Sequence, residues 1–283
     1  MPEPSKSVLI TGCSSGIGHA TASHLNERGW SVYATARRPE AIADLAEAGC
    51  RTLAVDVTDE ASMQGAVDQV TAAGPLGALV NNAGYSQSGA IESVEMDSIR
   101  RQFETNVFGL IRMCQLVLPG MRAAGAGRIV NISSMGGRLT FPGGGIYHAT
   151  KHAVEAISDA LRFEVRGFGV DVVCIEPGLI TTEFGNAALG SIAAGAASEG
   201  PYAEFNARVG AMTAGVYESG ALAKLGGGPE VVARKIERAL TSRRPRPRYK
   251  VTASAHLAIA QRRLVSDRMW DAMMRTQMPQ PGR

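Results

Sequence analysis

Short aliphatic and β-branched runs recur along the chain, separated by helix-length amphipathic stretches: Val8-Leu9-Ile10, Ser31 to Thr35, Thr52 to Val55, Ala78 to Val80, Arg128 to Ile132 and Val170 to Ile175. None alternates strictly between apolar and polar positions, which is the pattern of strands covered by helices on both faces. Strands and helices in alternation predict an α/β fold, a doubly wound parallel sheet of Rossmann-like type. A helix over Pro229 to Thr241, with Pro229 suited to a first turn, and a last strand at Tyr249 to Thr252 extend the pattern. Between about residues 182 and 228 the rhythm gives way to Ala, Gly and Ser with scattered Met, Phe and Tyr, the composition of an insertion that covers a site. No internal repeat or second domain is visible, so residues 1–283 read as one domain with a C-terminal lid over residues 182–228.

With 45% hydrophobic and 19% charged residues, the 283-residue chain can bury a substantial core, and a disordered or coiled-coil protein is excluded. A net charge of +3 is too small for the field of a dedicated nucleic-acid binder. Cys13, Cys50, Cys114 and Cys174 show no short paired spacing, so reduced thiols in a cytoplasmic protein are expected. Met1 to Ser7 is polar, and the weakly polar run around Ala187 to Ala197 is too short and glycine-rich to span a bilayer, so no integral membrane segment is expected.

Directly after the first apolar run comes Thr11-Gly12-Cys13-Ser14-Ser15-Gly16-Ile17-Gly18, followed by a helical stretch from His19 to Arg28. Glycines at such a junction let the backbone approach a pyrophosphate, whose charge is favoured by the free N–H groups and dipole of a helix N-terminus. The first strand-to-helix junction is the dinucleotide site of a doubly wound sheet. At the end of the second strand, an acidic residue would bind the adenosine ribose hydroxyls and repel a 2′-phosphate. This chain has Ala36 there, followed by Arg37 and Arg38, whose guanidinium groups favour NADP(H) over NAD(H). Further on, Tyr147 and Lys151 stand four residues apart, on one face if the segment is helical, and Ser133-Ser134 closes the fifth strand.

The glycine spacing Gly-x-x-x-Gly-x-Gly and the Tyr-x-x-x-Lys pair resemble the short-chain dehydrogenase/reductase family, and the resemblance covers most of residues 7 to 185. It implies that Gly12, Ser14, Ser15, Gly16, Ile17 and Gly18 hold the cofactor and that Asp56-Val57 contacts the adenine. It implies too that Asn82, Ala83 and Gly84, within Asn81-Asn82-Ala83-Gly84, border the cofactor. Pro177-Gly178 followed by Thr182 fits the family's contact with the nicotinamide carboxamide, with Thr181 as the alternative threonine. A serine separated from the tyrosine by twelve residues selects Ser134 over Ser133, and Asn106 matches the remaining member of an Asn-Ser-Tyr-Lys tetrad.

The chemistry explains these residue types. Hydride transfer to a carbonyl leaves negative charge on oxygen, so a proton must arrive from a group within hydrogen-bond reach. Tyr147 is the expected donor; its pKa of about 10 when unperturbed is lowered by an adjacent cation, each unit corresponding to about 1.4 kcal/mol. Lys151 supplies that cation and, by the resemblance, bonds the nicotinamide ribose as well. Ser134 is expected to polarise the substrate oxygen and Asn106 to position a water in the proton relay.

No metal site is expected: His148 and His152 are four apart but have no evident third ligand. His19 and His24 read as surface or packing residues. Arg243-Arg244-Pro245-Arg246-Pro247-Arg248 reads as a solvated connection, and Ala255 to Met274 has near-helical apolar spacing with no assigned partner. The expected function is that of an NADP(H)-dependent oxidoreductase acting on a carbonyl or alcohol, with a homodimer or homotetramer as the family's usual assembly. Val32 to Arg38 and the long tail resemble the branch of 17β-hydroxysteroid and retinol dehydrogenases, implying a bulky apolar substrate. The alternatives are a regulator that senses NADP(H) without turnover, against which Tyr147 and Lys151 together argue, and an extended epimerase-type relative, whose glycine spacing differs.

Overall fold

A computed structural model describes residues 3–182, 200–218 and 225–282. Of the expected lid, residues 183–199 and 219–224 lie outside the described residues. Seven parallel strands form one sheet: β1 (Ser7–Ile10), β2 (Ser31–Ala36), β3 (Arg51–Ala54), β4 (Ala78–Asn81), β5 (Gly127–Ile132), β6 (Val170–Pro177) and β7 (Arg248–Val251), in the order β3-β2-β1-β4-β5-β6-β7. Chain direction across the sheet reverses between β1 and β4, which opens a crevice at the strands' carboxyl edge.

Successive side chains of each strand face opposite sides, so β1 sends Val8 and Ile10 into one core and Leu9 into the other. The first core is closed by α1 (Gly16–Glu27) and α8 (Pro229–Thr241), with Leu25, Val232 and Ile236 buried in it. The second is closed by α3 (Glu60–Ala72), α5 (Gly109–Ala124) and α6 (Gly145–Val165), through Val67, Met113, Val117 and Val154. A short α2 (Ala43–Glu47) precedes β3. Helix α4 (Met96–Phe103) runs through a π-helical turn, Glu104–Phe108, directly into α5. Among the described residues, this Met96–Ala124 run is the one helix long and apolar enough to cross a membrane by length and composition, its most apolar 18 residues having a mean hydropathy of 1.2. Here it is a flank of the sheet, with Met113, Cys114, Val117 and Met121 packed in the core.

The C-terminal part adds α7 (Ala203–Glu218), α9 (Ala253–Leu264) and α10 (Asp267–Arg275). Ile259, Trp270 and Met274 meet Leu139 in a separate apolar cluster, so the stretch with no assigned partner packs on the loop after β5. The arginine-rich connection divides. Arg243, Arg244 and Arg246 are exposed, whereas Arg248 turns inward, its Nε donating to Glu155 Oε2 at 2.8 Å and lying 3.4 Å from Glu176 Oε1. Glu176 is 1% exposed, and burial beside Glu155 raises its carboxyl above the ordinary carboxylate range. Removing the cation from such a cluster leaves carboxylates uncompensated in a dry interior. Arg248→Met is therefore expected to lower the unfolding free energy by about 3–5 kcal/mol in chemical denaturation.

Candidate active site

The glycine turn is built as a backbone cradle. Gly12 and Gly16 have φ of +73° and +57°, the left-handed region, and a Cβ on Gly18 would lie 2.2 Å from the Gly12 carbonyl oxygen. Asn82 clamps the turn from β4's end: its Nδ2 donates to the carbonyls of Thr11 (3.0 Å) and Gly12 (2.8 Å). In return, Thr11 Oγ1 accepts from the backbone N–H groups of Asn82 and Ala83. Ser14 and Ser15 stand exposed at the N-terminus of α1, while Ile17 packs on the first core. The Thr182 side chain lies against Gly16, 3.3 Å from where a Cβ would stand, so the segment after β6 reaches the glycine turn.

Arg37 and Arg38 follow β2 and are exposed at the same edge of the sheet. The phenol of Tyr85, just past Gly84, is raised above its ordinary range by burial, against smaller opposing pulls from Arg101 and Arg37. Asp56 Oδ1 accepts from the Thr58 backbone N–H and hydroxyl at 2.9 and 2.8 Å, closing a local turn, and Val57 beside it is buried. Cys13, inside the glycine turn, is buried with its thiol pushed up to about 12, too high for a reactive thiolate.

The residues expected to carry the reaction come from three elements: the first turns of α6, the end of β5 and the π-helical turn. Helix α6 starts at Gly145, so Tyr147 stands in its first turn and Lys151 one turn later. Lys151 is 6% exposed; its Nζ donates to the Ile132 carbonyl at the end of β5 (2.8 Å) and lies 5.8 Å from the Tyr147 ring centroid. Burial pulls its pKa down to about 8, against a smaller opposing pull from Cys174 and Glu155. Ser134 Oγ accepts the Gly136 N–H at 3.0 Å, which leaves the hydroxyl proton to donate elsewhere.

Asn106 sits in the π-helical turn. Its amide donates to the Tyr85 carbonyl (2.9 Å) and Thr150 Oγ1 (3.1 Å) and accepts the Tyr85 N–H (3.1 Å), three of the four bonds an asparagine can make. A Cβ on Gly84 would lie 3.0 Å from Asn106 Oδ1 and 3.8 Å from Lys151 Nζ, so these three predicted residues share one spot. His148 is buried: its Nδ1 meets the Gly136 carbonyl at 3.1 Å, and burial pulls its pKa down to about 4, so it is neutral near pH 7.

The Pro177-Gly178 turn ends β6, and its brace escapes sequence reasoning. Ser254 Oγ accepts the Leu179 N–H at 3.0 Å and bonds Thr252 Oγ1 at 2.8 Å. Thr252 has φ +79° and ψ 155°, a region left almost wholly to glycine, and this departure ends β7 one residue before the predicted Thr252. Nothing in the local sequence signals it; the strain becomes visible only against the neighbouring turn.

Residues 6–190 match the family model described as short chain dehydrogenase. An NADPH-dependent 3-dehydrocapnine reductase of Ornithobacterium rhinotracheale is 35% identical over 274 residues, covering 93% of this chain and 94% of the relative. A 3-ketodihydrosphingosine reductase of Bacteroides thetaiotaomicron is 44% identical over 179 residues, 62% of this chain and 65% of the relative. Among solved structures, a short-chain dehydrogenase from Streptomyces avermitilis superposes with a TM-score of 0.78 at 34% identity, covering 96% of this chain and 98% of that one. A serine dehydrogenase complexed with NADP+ gives 0.73 at 28% (86% and 93%), and a family member from Burkholderia phymatum in complex with NAD gives 0.78 at 26% (96% and 97%). The chain belongs to the short-chain dehydrogenase/reductase family. Its members bind nicotinamide cofactors and act on alcohol or carbonyl groups, and its relatives here are oxidoreductases.

The buried ammonium has a measurable stability consequence. The folded pKa of Lys151 is about 8 against 10.5 for an ordinary lysine, so the unfolded chain holds the proton more tightly. Below pH 8 the charge opposes folding by about 3 kcal/mol, and that cost disappears as pH rises from 8 to above 10. Lys151→Met, measured without cofactor, is expected to melt several degrees above the parent at pH 7, the gap closing by pH 10.5.

Proposed function

We propose that this protein is an NADP(H)-dependent oxidoreductase interconverting a carbonyl and an alcohol on a bulky, largely apolar substrate. The observation that carries this reading is the buried Lys151 ammonium beside the Tyr147 ring, meeting Asn106 at Gly84, the border of the glycine cradle. The cradle suits a dinucleotide: two left-handed glycines, a third with no room for a side chain, and an exposed helix N-terminus together offer N–H groups to a pyrophosphate. Gly12, Ser14, Ser15, Gly16, Ile17 and Gly18 would hold it, with Asp56 and Val57 at the adenine, Asn82, Ala83 and Gly84 bordering it, and Pro177, Gly178 and Thr182 at the carboxamide. When bound, the nicotinamide supplies or accepts the hydride.

This chain's side chains handle the proton and the charge. Ser134 donates its hydroxyl proton to the substrate oxygen, having taken the Gly136 N–H on its own lone pair. Tyr147 Oη passes a proton to that oxygen as charge develops, and Lys151 favours the phenolate left behind. The lone pair remaining on Asn106 Oδ1 would hold a relay water beside Lys151. A sensor without turnover would need neither the phenol nor a cation buried at such cost, so the geometry favours the enzyme.

Arg37 and Arg38, exposed where an acidic residue would select NAD(H), support NADP(H), as do the NADP+-bound neighbour and the relative's NADPH dependence. The relatives' names, both of reductases, support reduction of a ketone. Phe163, 89% exposed on α6, and Phe108, 51% exposed in the π-helical turn, are apolar surface that a second copy would cover, which supports a homo-oligomer.

Oxidation of NADPH, followed by its absorbance with a panel of long-chain ketones, tests the reading. Tyr147→Phe is expected to bind cofactor as tightly as the parent while kcat falls by at least about a hundredfold; an undiminished kcat removes Tyr147 as proton donor. Arg37→Asp is expected to raise KM for NADPH about tenfold or more and leave KM for NADH unchanged or lower. Equal effects on the two cofactors would remove Arg37 from the phosphate site.

A further inference from the structure

Beside the reaction centre lies a cavity of about 1220 Å³ between the loop after β5, the 89–92 segment, α7 and the two C-terminal helices. Its apolar wall is formed by Leu139, Phe141, Trp270 and Met274. A row of rings joins this wall to the catalytic tyrosine: Tyr147 to His148 at 5.7 Å, His148 to Phe141 at 6.0 Å, and Phe141 to Trp270 at 5.8 Å between centroids. Gly137 and Gly145, which also border the cavity, stand three residues after Ser134 and two before Tyr147.

The rim is cationic. Four arginines border the cavity against two carboxylates, Glu92 and Asp271. Two of the four are committed. Arg262 pairs with Asp267 and stacks on Trp270, and Arg138 lies 3.8 and 3.9 Å from the buried Glu155 and Glu176. Arg263 and Arg275 are exposed, and among the described residues neither has a carboxylate within 4.0 Å. Glu92 is engaged by the Tyr202 hydroxyl at 2.7 Å, which leaves Asp271 as the one rim carboxylate with no hydrogen bond or ion pair among the described residues.

A cleft of this size with one apolar wall and two unpaired guanidinium groups on its lining suits an alkyl chain ending in an acid. We infer that the cavity binds a single-chain anionic amphiphile, its chain on the Leu139–Trp270–Met274 wall and its acid group between Arg263 and Arg275, and that the reducible carbonyl belongs to such a molecule. The last clause rests on the carbonyl-reductase reading; the binding site does not.

The probe is hexadecanoate below its micellar concentration. The chain has two tryptophans, Trp30 in the sheet core and Trp270 on the cavity wall, so Trp30→Phe leaves Trp270 as the single indole reporter. Calorimetry on the parent protein supplies the same affinity should that variant fold poorly. Hexadecanoate is expected to change Trp270 emission saturably, with affinity about tenfold weaker for octanoate, for hexadecyltrimethylammonium and in the double variant Arg263→Gln, Arg275→Gln. It is also expected to raise KM for a carbonyl substrate while leaving kcat unchanged. Equal affinity for the cationic amphiphile, or for the double variant, overturns the anion site, and inhibition that leaves KM unchanged overturns its place in the substrate path. Arginine-dependent binding in a protein that reduces no carbonyl upholds the site and overturns the reductase reading alone.

Discussion

A single buried ammonium organises this molecule. Lys151 loses nearly all of its hydration and receives in return one carbonyl, that of Ile132 at the carboxyl end of β5. A cation in that position is unfavourable unless something nearby benefits from its field; the ring of Tyr147, one helical turn earlier, lies 5.8 Å from it, and in the proposed reaction its phenolate would be that group. The start of α6 at Gly145 puts both groups on rigid helix; from a loop, the phenol would have no fixed distance to the cation.

The surroundings extend the same economy of charge. One turn beyond Lys151, Glu155 joins Glu176 and the inward-turned Arg248, so β7, β6 and α6 are tied by ions behind the site. Thr252, directly after β7, takes a backbone conformation costing on the order of 1–3 kcal/mol, and through Ser254 it holds the turn that follows Pro177. Uncompensated burial and backbone strain thus concentrate at the carboxyl edge of the sheet, where ligands of open α/β folds bind, while the two cores beneath are apolar and closely packed.

Much of this was legible along the chain. The six early strands and the Pro229–Thr241 helix fall within a residue or two of their predicted limits because apolar runs bounded by turn residues dictate them. The glycine turn, Tyr147, Lys151, Ser134 and Asn106 could be named because their residue types and spacing follow from the chemistry and the family resemblance. What stayed hidden depends on contacts between distant segments. The inward turn of Arg248 requires Glu155 and Glu176 to be in place, and the Thr252 conformation requires the turn after β6. The partner of the C-terminal helices, a loop more than a hundred residues earlier, leaves no local signal, and the cavity they enclose with it is equally invisible in the sequence. The Met96–Ala124 run shows no uninterrupted apolar stretch of membrane length along the sequence, because Asp97, Arg100, Arg101 and Glu104 crowd its start and Arg112 and Arg122 divide the rest.

Lys151 is a cation held in a dry site with its proton loosened. Lysine labelled with carbon-13 at the ε position reports each ammonium's titration directly by nuclear magnetic resonance. One resonance, absent from Lys151→Met, should titrate with a midpoint near pH 8 in the cofactor-free protein. If that resonance titrates near 10.5 with the other lysines, the ammonium is hydrated and the account of the site is wrong.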